Sequence, residues 1–300
     1  MNRISDSELL EYLNDIESDR VERKQSFTCC VLANEQDERI LNERRRYKNL
    51  PFDLYPIPNA NILDLSKILF ENEYLPLAFA PEILSENNRS YEEKLASCKM
   101  IISVEDATPT LLGLLSNGKN PQDFLAGARI QFLRIDGIEL TDRVVDDDLI
   151  GGALVEMIRR TDEKLKAHNR VAVDITSDAT HDINQHYPLT AIRQILYNAI
   201  QHRTYENTNA PVRIYWYNDR IEIISPGGPY GSVTVDNFGK PGITDYRNPN
   251  ISAVLKTYGY IQSFGRGIMI AENELKRNGN PPLEFFVNQG VVICTIRRRV

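Results

Sequence analysis

Leu9, Leu10, Leu13 and Ile16 recur at helical intervals behind Ser5, which stands at capping-box distance from Glu8. This predicts a charged amphipathic helix at the start of the chain. Phe27 to Ala33 is briefly apolar and Glu35 to Lys48 is dense in charge, before Pro51, Pro56 and Pro58 mark a boundary. Helical spacing of apolar residues returns over Ile62 to Leu75, Pro81 to Ser85 and Tyr91 to Ile102. Between Gly127 and Gly137 the period drops to two, and Ala128, Ile130, Phe132, Leu133 and Ile135 predict a strand. A helix from about Asp147 to His168 is predicted from Leu149, Leu154, Ile158 and Leu165, followed by a half-buried strand over Val171 to Ile175.

Beyond His186 the pattern sharpens. Pro188 suits the first turn of a helix that continues to about Arg203. Pro211 to Tyr217 and Arg220 to Ser225 both alternate around Asn218-Asp219, which predicts a hairpin. Pro226-Gly227-Gly228 breaks the second strand, and a long polar stretch runs to about Asn250. A short helix over Ile251 to Tyr258 follows. Gly265-Arg266-Gly267 then opens a further helix that Asn278-Gly279 closes. Leu283 to Val287 and Val291 to Ile296 form a closing pair of strands. Together these elements predict an α+β sandwich with helices on one face of a mostly antiparallel sheet.

Composition narrows the function classes. The 300 residues carry a net charge of −7, which disfavours nucleic-acid binding over the whole surface while leaving local basic patches open. No apolar run approaches the roughly 20 residues that span a bilayer. Met1 to Leu10 is polar and acidic and lacks the apolar centre of a secretory signal, so a soluble, cytoplasmic protein is expected. Cys29, Cys30, Cys98 and Cys294 are too scattered for a zinc site or a disulfide framework, and His168, His181 and His186 have no metal-binding spacing.

Three features carry candidate chemistry. On the Pro188 helix, Leu189, Ile192, Ile195, Leu196, Ala199 and Ile200 form an apolar arc, with Gln194, Asn198 and His202 in one polar line beside it. That line either projects into a cleft or is a solvated edge. Gly265-Arg266-Gly267 at a helix start either receives an anion on free N–H groups or marks close packing. Ser225-Pro226-Gly227-Gly228 either leaves room for a flat ligand or is a plain turn. Other clusters read as structural. Arg44 to Arg46 and Arg297 to Arg299 are expected to be solvated, Tyr215 and Tyr217 to face away from a buried Trp216, and Asp146 to Asp148 to suit a helix start.

The order and separation of the three features resemble the Bergerat-type ATP-binding fold of the GHKL class. The wording Leu196-Tyr-Asn-Ala-Ile-Gln-His-Arg-Thr-Tyr205, Asp219-Arg-Ile-Glu-Ile-Ile-Ser-Pro-Gly-Gly228, Asp245-Tyr-Arg-Asn-Pro249 and Phe264-Gly-Arg-Gly-Ile268 is similar to RecG-related transcriptional regulators and ATP-binding proteins. The resemblance implies a GHKL-type two-layer α/β sandwich over 181–300, a mostly helical α/β middle region over 51–180, and an N-terminal helix and charged linker over 1–50. By the same resemblance Asn198 helps to hold Mg²⁺ against ATP, and Gly227 and Gly228 flank the adenine pocket. Gly265, Arg266 and Gly267 sit at the phosphate-side helix, and Pro229 to Phe264 is the lid. His202 and Arg203 would place a cation near phosphate.

Three departures qualify that picture. Hydrolysing relatives carry a glutamate where this chain has Gln194, an amide unsuited to general-base work. The adenine-reading aspartate is replaced by Ser225. A Schlafen/Alba-like DNA-binding domain is reduced to a remnant around Glu17 to Phe27, with Glu22 and Lys24 as relics. No G-x-x-x-x-G-K-[ST] loop is present, so a helicase motor is not expected. The expectation is an ATP-binding regulatory or DNA-linked switch with little or no hydrolysis, acting on DNA or a protein partner and able to form a homodimer. A nucleotide-free binding or oligomerisation module, and a slow ATPase, are the alternatives.

Overall fold

The computed structural model describes residues 50–169, 186–206, 208–240, 242–262 and 265–299. The opening helix, the Arg44 to Arg46 cluster, His181 and the strand expected over Val171 to Ile175 lie outside the described residues. Pro51–Val300 forms one compact unit.

Its first part is helical. Leu69–Tyr74 winds as a π-helix into α1 (Leu75–Ala78), then come α2 (Pro81–Ser85) and α3 (Tyr91–Ser97), the last closed at its start by Ser90 and Glu93. α4 (Leu111–Asn117) is buried along its whole length, and the Thr110 hydroxyl accepts from the Gly113 N–H at 3.0 Å. No helical face of polar residues announces this element, because it has no solvent side. Gly113 is required there: a Cβ would collide with the Met100 carbonyl.

The sheet begins with β1 (Ile130–Asp136) and β2 (Arg143–Ile150). The second strand corrects the expectation that Asp146 to Asp148 open a helix. They lie on an exposed edge strand, where Lys164 reaches Asp146 at 2.8 Å and Asp148 at 3.3 Å, and His168 meets Asp146 at 2.7 Å. Charged side chains along such an edge also discourage pairing with another chain. The helix itself, α5 (Leu154–His168), begins where Glu156 accepts from the Ala153 N–H.

The remaining elements follow the sequence pattern closely: α6 (Leu189–His202), β3 (Val212–Trp216), β4 (Arg220–Pro226), α7 (Pro249–Thr257), α8 (Gly267–Asn278), β5 (Glu284–Val287) and β6 (Val291–Arg297). Gly279 ends α8 at φ 79°, the left-handed conformation that glycine adopts most readily.

The six strands among the described residues join one sheet in the order β2-β1-β3-β4-β6-β5. Only β1 and β3 run parallel, and the connection between them contains α5 and α6. Among the described residues, the middle and C-terminal regions contribute strands to one sheet and side chains to one apolar core. This is a mixed α/β sandwich. Val212, Ile214 and Trp216 on β3 and Ile221 and Ile223 on β4 supply the buried face, together with Ile192, Ile195 and Leu196 from α6. Tyr217 departs from simple alternation: it lies just beyond β3, is buried, and is covered by the Arg220 guanidinium 3.9 Å from its ring.

Candidate functional site

With its apolar arc committed to the core, α6 carries Gln194, Asn198 and His202 on its flank. All three line one cavity of about 170 Å³, which holds on the order of ten waters. Ser225, Gly227 and Gly228 at the end of β4 form a second wall, and Gly265, Arg266 and Gly267 at the start of α8 form a third. The segment between these walls contributes Tyr230, Val233, Phe238, Lys240, Asp245 and Tyr246. Phe238 is held by an edge contact with Phe285, ring centres 5.3 Å apart.

Gln194 and Asn198 are half-buried, and among the described residues their amides have no hydrogen-bond partner. α8 starts directly against them. A Cβ at position 267 would lie 3.0 Å from Asn198 Nδ2 and 3.2 Å from Gln194 Oε1, so glycine permits this approach. The first helical bond of α8 is Ile270 N–H to the Arg266 carbonyl, and no side chain caps the helix. The N–H groups of Gly267, Ile268 and Met269 thus remain outside the helical ladder while their residues line the cavity. Such an end attracts an anion.

The glycine turn behaves differently. Gly227, at φ 95°, donates its N–H to the Gly290 carbonyl at 2.8 Å, and Gly228 donates to the Gln289 carbonyl at 3.1 Å. A Cβ on Gly228 would collide with the Asn288 carbonyl. These glycines fit the loop between β5 and β6, and their N–H groups are already used. The Ser225 hydroxyl likewise donates to the Ala199 carbonyl at 3.1 Å, tying β4 to α6. Gly265, at φ 61°, leaves room for the Thr244 side chain.

The end of α6 supplies no free cation. His202 stacks on Tyr246 at 5.6 Å. Burial, helped by the charge of Arg247 and opposed by Asp245, pushes its pKa from the ordinary 6.5 down to about 4, so the ring is neutral at pH 7. Arg203 is absent from the cavity lining. It is buried and donates to the carbonyls of Gly127 at 2.5 Å, Ala210 at 3.0 Å and Thr204 at 3.1 Å. The cations of the lining are Lys240 and Arg266, both exposed, with no ion pair among the described residues. Asp245 is the one carboxylate of the described lining. The backbone N–H groups of Ser232, at 3.0 Å, and Tyr246, at 2.8 Å, bind it and hold its pKa below the usual range.

Lys240, Asp245 and Tyr246 had no assigned role in the sequence. Their place in the cavity lining reveals them, and beyond the expected lid the family-like segment Asp245-Tyr-Arg-Asn-Pro249 was the signal available.

Residues 209–296 match the model of a family described as "Putative ATP-dependent DNA helicase recG C-terminal". The match covers β3 to β6 and α8 and begins after Asn198. Among solved structures, the DIP2311 protein from Corynebacterium diphtheriae is similar in fold, with a TM-score of 0.63 at 17% identity over 93% of this chain and 54% of that chain. The chain thus aligns with about half the length of that protein. A comparison with curated proteins finds no match. No described helix is long and apolar enough to cross a membrane.

Proposed function

We propose that the chain binds ATP in this cavity and acts as a regulatory switch with little or no hydrolysis. The convergence of Gln194, Asn198 and the open end of α8 on one hollow carries the reading, because these half-buried amides and N–H groups have no protein partner among the described residues and are available to a ligand. The family match over 209–296 supports it. In this reading the base lies toward Ser225 and Gly228, and the triphosphate lies toward Asn198 and the N–H groups of α8.

Hydrolysis lacks its base. An amide at position 194 takes no proton near neutral pH, and loss of a positioned base removes about 10²- to 10⁴-fold in rate. Asp245 is a poor replacement with its oxygens committed to backbone N–H groups. The remaining role is conformational. Ligand in the cavity would order the covering segment from 229 to 262, and the ordered surface would engage a partner, protein or DNA, in the cytoplasm.

Mg²⁺ is a poor match to the residues present. It prefers near-octahedral oxygen ligands, usually with one or two carboxylates beside substrate phosphates. Here the triphosphate end offers amides, and no cluster of three or more His, Cys, Asp or Glu suited to a metal occurs among the described residues.

One observation favours the rival, a nucleotide-free module: the hydroxyl of Ser225 and the N–H groups of Gly227 and Gly228 are already bonded within the protein. Isothermal titration with ATP separates the two. Saturable binding that weakens about tenfold or more in Asn198→Ala is expected. Absence of binding by the natural protein would overturn the ATP reading and leave the rival.

A further inference from the structure

We propose that the triphosphate is neutralised by Lys240 and Arg266, so that this chain binds ATP without a divalent cation. The inference rests on the cavity being the ATP site and adds how the charge there is met. Both side chains belong to the lining of the same cavity, Lys240 from the covering segment and Arg266 from the turn that opens α8. Together they carry the formal charge of one divalent ion. Neither is held by an ion pair among the described residues, so neither must leave a carboxylate before meeting phosphate.

Local backbone geometry supports the placement. Lys240 follows Gly239, at φ 75°, and Arg266 lies between Gly265, at φ 61°, and the first residue of α8. Each cation therefore sits next to a glycine with positive φ in the cavity lining. Arg266 also adjoins the free N–H groups of Gly267 to Met269, and a guanidinium fork matches phosphate oxygens in pairs. With Gln194 in place of a base, no water has to be activated, and the positive charge is needed only for binding. Asn198, whose amide lies against Gly267, can then donate to a phosphate oxygen through Nδ2 instead of serving as a metal ligand.

The test is titration of the full chain with ATP in EDTA and, separately, in excess Mg²⁺. Affinity in EDTA is expected within about threefold of that in Mg²⁺. The Lys240→Ala/Arg266→Ala double variant is expected to lose about a hundredfold in EDTA, roughly tenfold for each charged contact, and to recover part of this with Mg²⁺. The exchange pair Lys240→Arg/Arg266→Lys is expected to keep metal-free binding. Both sites are exposed, and an unchanged melting temperature for the variants confirms that folding is preserved. Binding that requires Mg²⁺, or a double variant that binds normally in EDTA, would overturn this inference and leave the ATP site standing. Failure to bind under either condition would overturn the ATP reading beneath it.

Discussion

The two sides of α6 treat polar residues in opposite ways. On the cavity side Gln194 and Asn198 have no protein partner among the described residues, and Lys240 and Arg266, which line the same cavity, have no ion pair there. At its C-terminal end most polar groups find protein partners, although Asn248 Oδ1 and Arg247 Nε are buried without one. Arg203 spans three carbonyls, and Asn248 Nδ2 donates to the carbonyls of Gln201 and Arg203. The buried carboxylate of Asp53 accepts from the N–H groups of Asn250 and Ile251 and from the Asn250 side chain at 2.6–3.0 Å. Groups bonded in this way hold the fold, whereas Gln194 and Asn198, half-buried and without a protein partner among the described residues, are available to a ligand in the proposed reading. His202 and Arg203 are adjacent in sequence and fall on either side of this division.

The contrast is sharpest in stability. Arg203→Met should cost about 2–4 kcal/mol, since it strands buried carbonyls, and Asp53→Ala should cost a similar amount by uncapping α7. Asn198→Ala should stay within about 0.5 kcal/mol of the natural protein in urea unfolding. A large loss in Asn198→Ala would put that residue on the structural side.

A smaller effect tests His202. Its folded pKa lies below the ordinary value, so the unfolded chain binds more protons between pH 6.5 and about 4. The stability this site contributes is therefore full above pH 6.5 and is lost as pH falls toward 4. Between pH 7 and 5 the natural protein should lose about 1–2 kcal/mol more than His202→Gln in paired urea titrations. Equal losses would contradict a ring held neutral in the folded protein. The smallest effect concerns Gly267→Ala, whose methyl must displace the two amides. ATP affinity should fall about three- to tenfold while stability changes by less than about 0.5 kcal/mol. Unaltered affinity would mean that the amides do not touch the ligand.

The run from α6 to β6 was legible because each element is amphipathic and each boundary carries a proline, a glycine or a hairpin pair. β2 was not: three consecutive aspartates resemble a helix start, and only Lys164 and His168, brought over by α5, show why they suit a strand. α4 was missed because complete burial erases periodicity. At the site, Gln194, Asn198 and the two glycine turns were legible from spacing and resemblance. The partners of Arg203 and Asp53 come from as far as 76 and 198 residues away, and no local pattern encodes them.

The most direct measurement is photolabelling with an azido-adenine analogue of ATP, followed by peptide mapping and competition with unlabelled ATP. The account predicts protectable adducts within 225–246, on the strand end and the segment covering the cavity. Labelling confined to 124–128, Tyr205, Thr208 and Asn209, which line the separate Arg203 pocket, or labelling that ATP does not compete away, would contradict it.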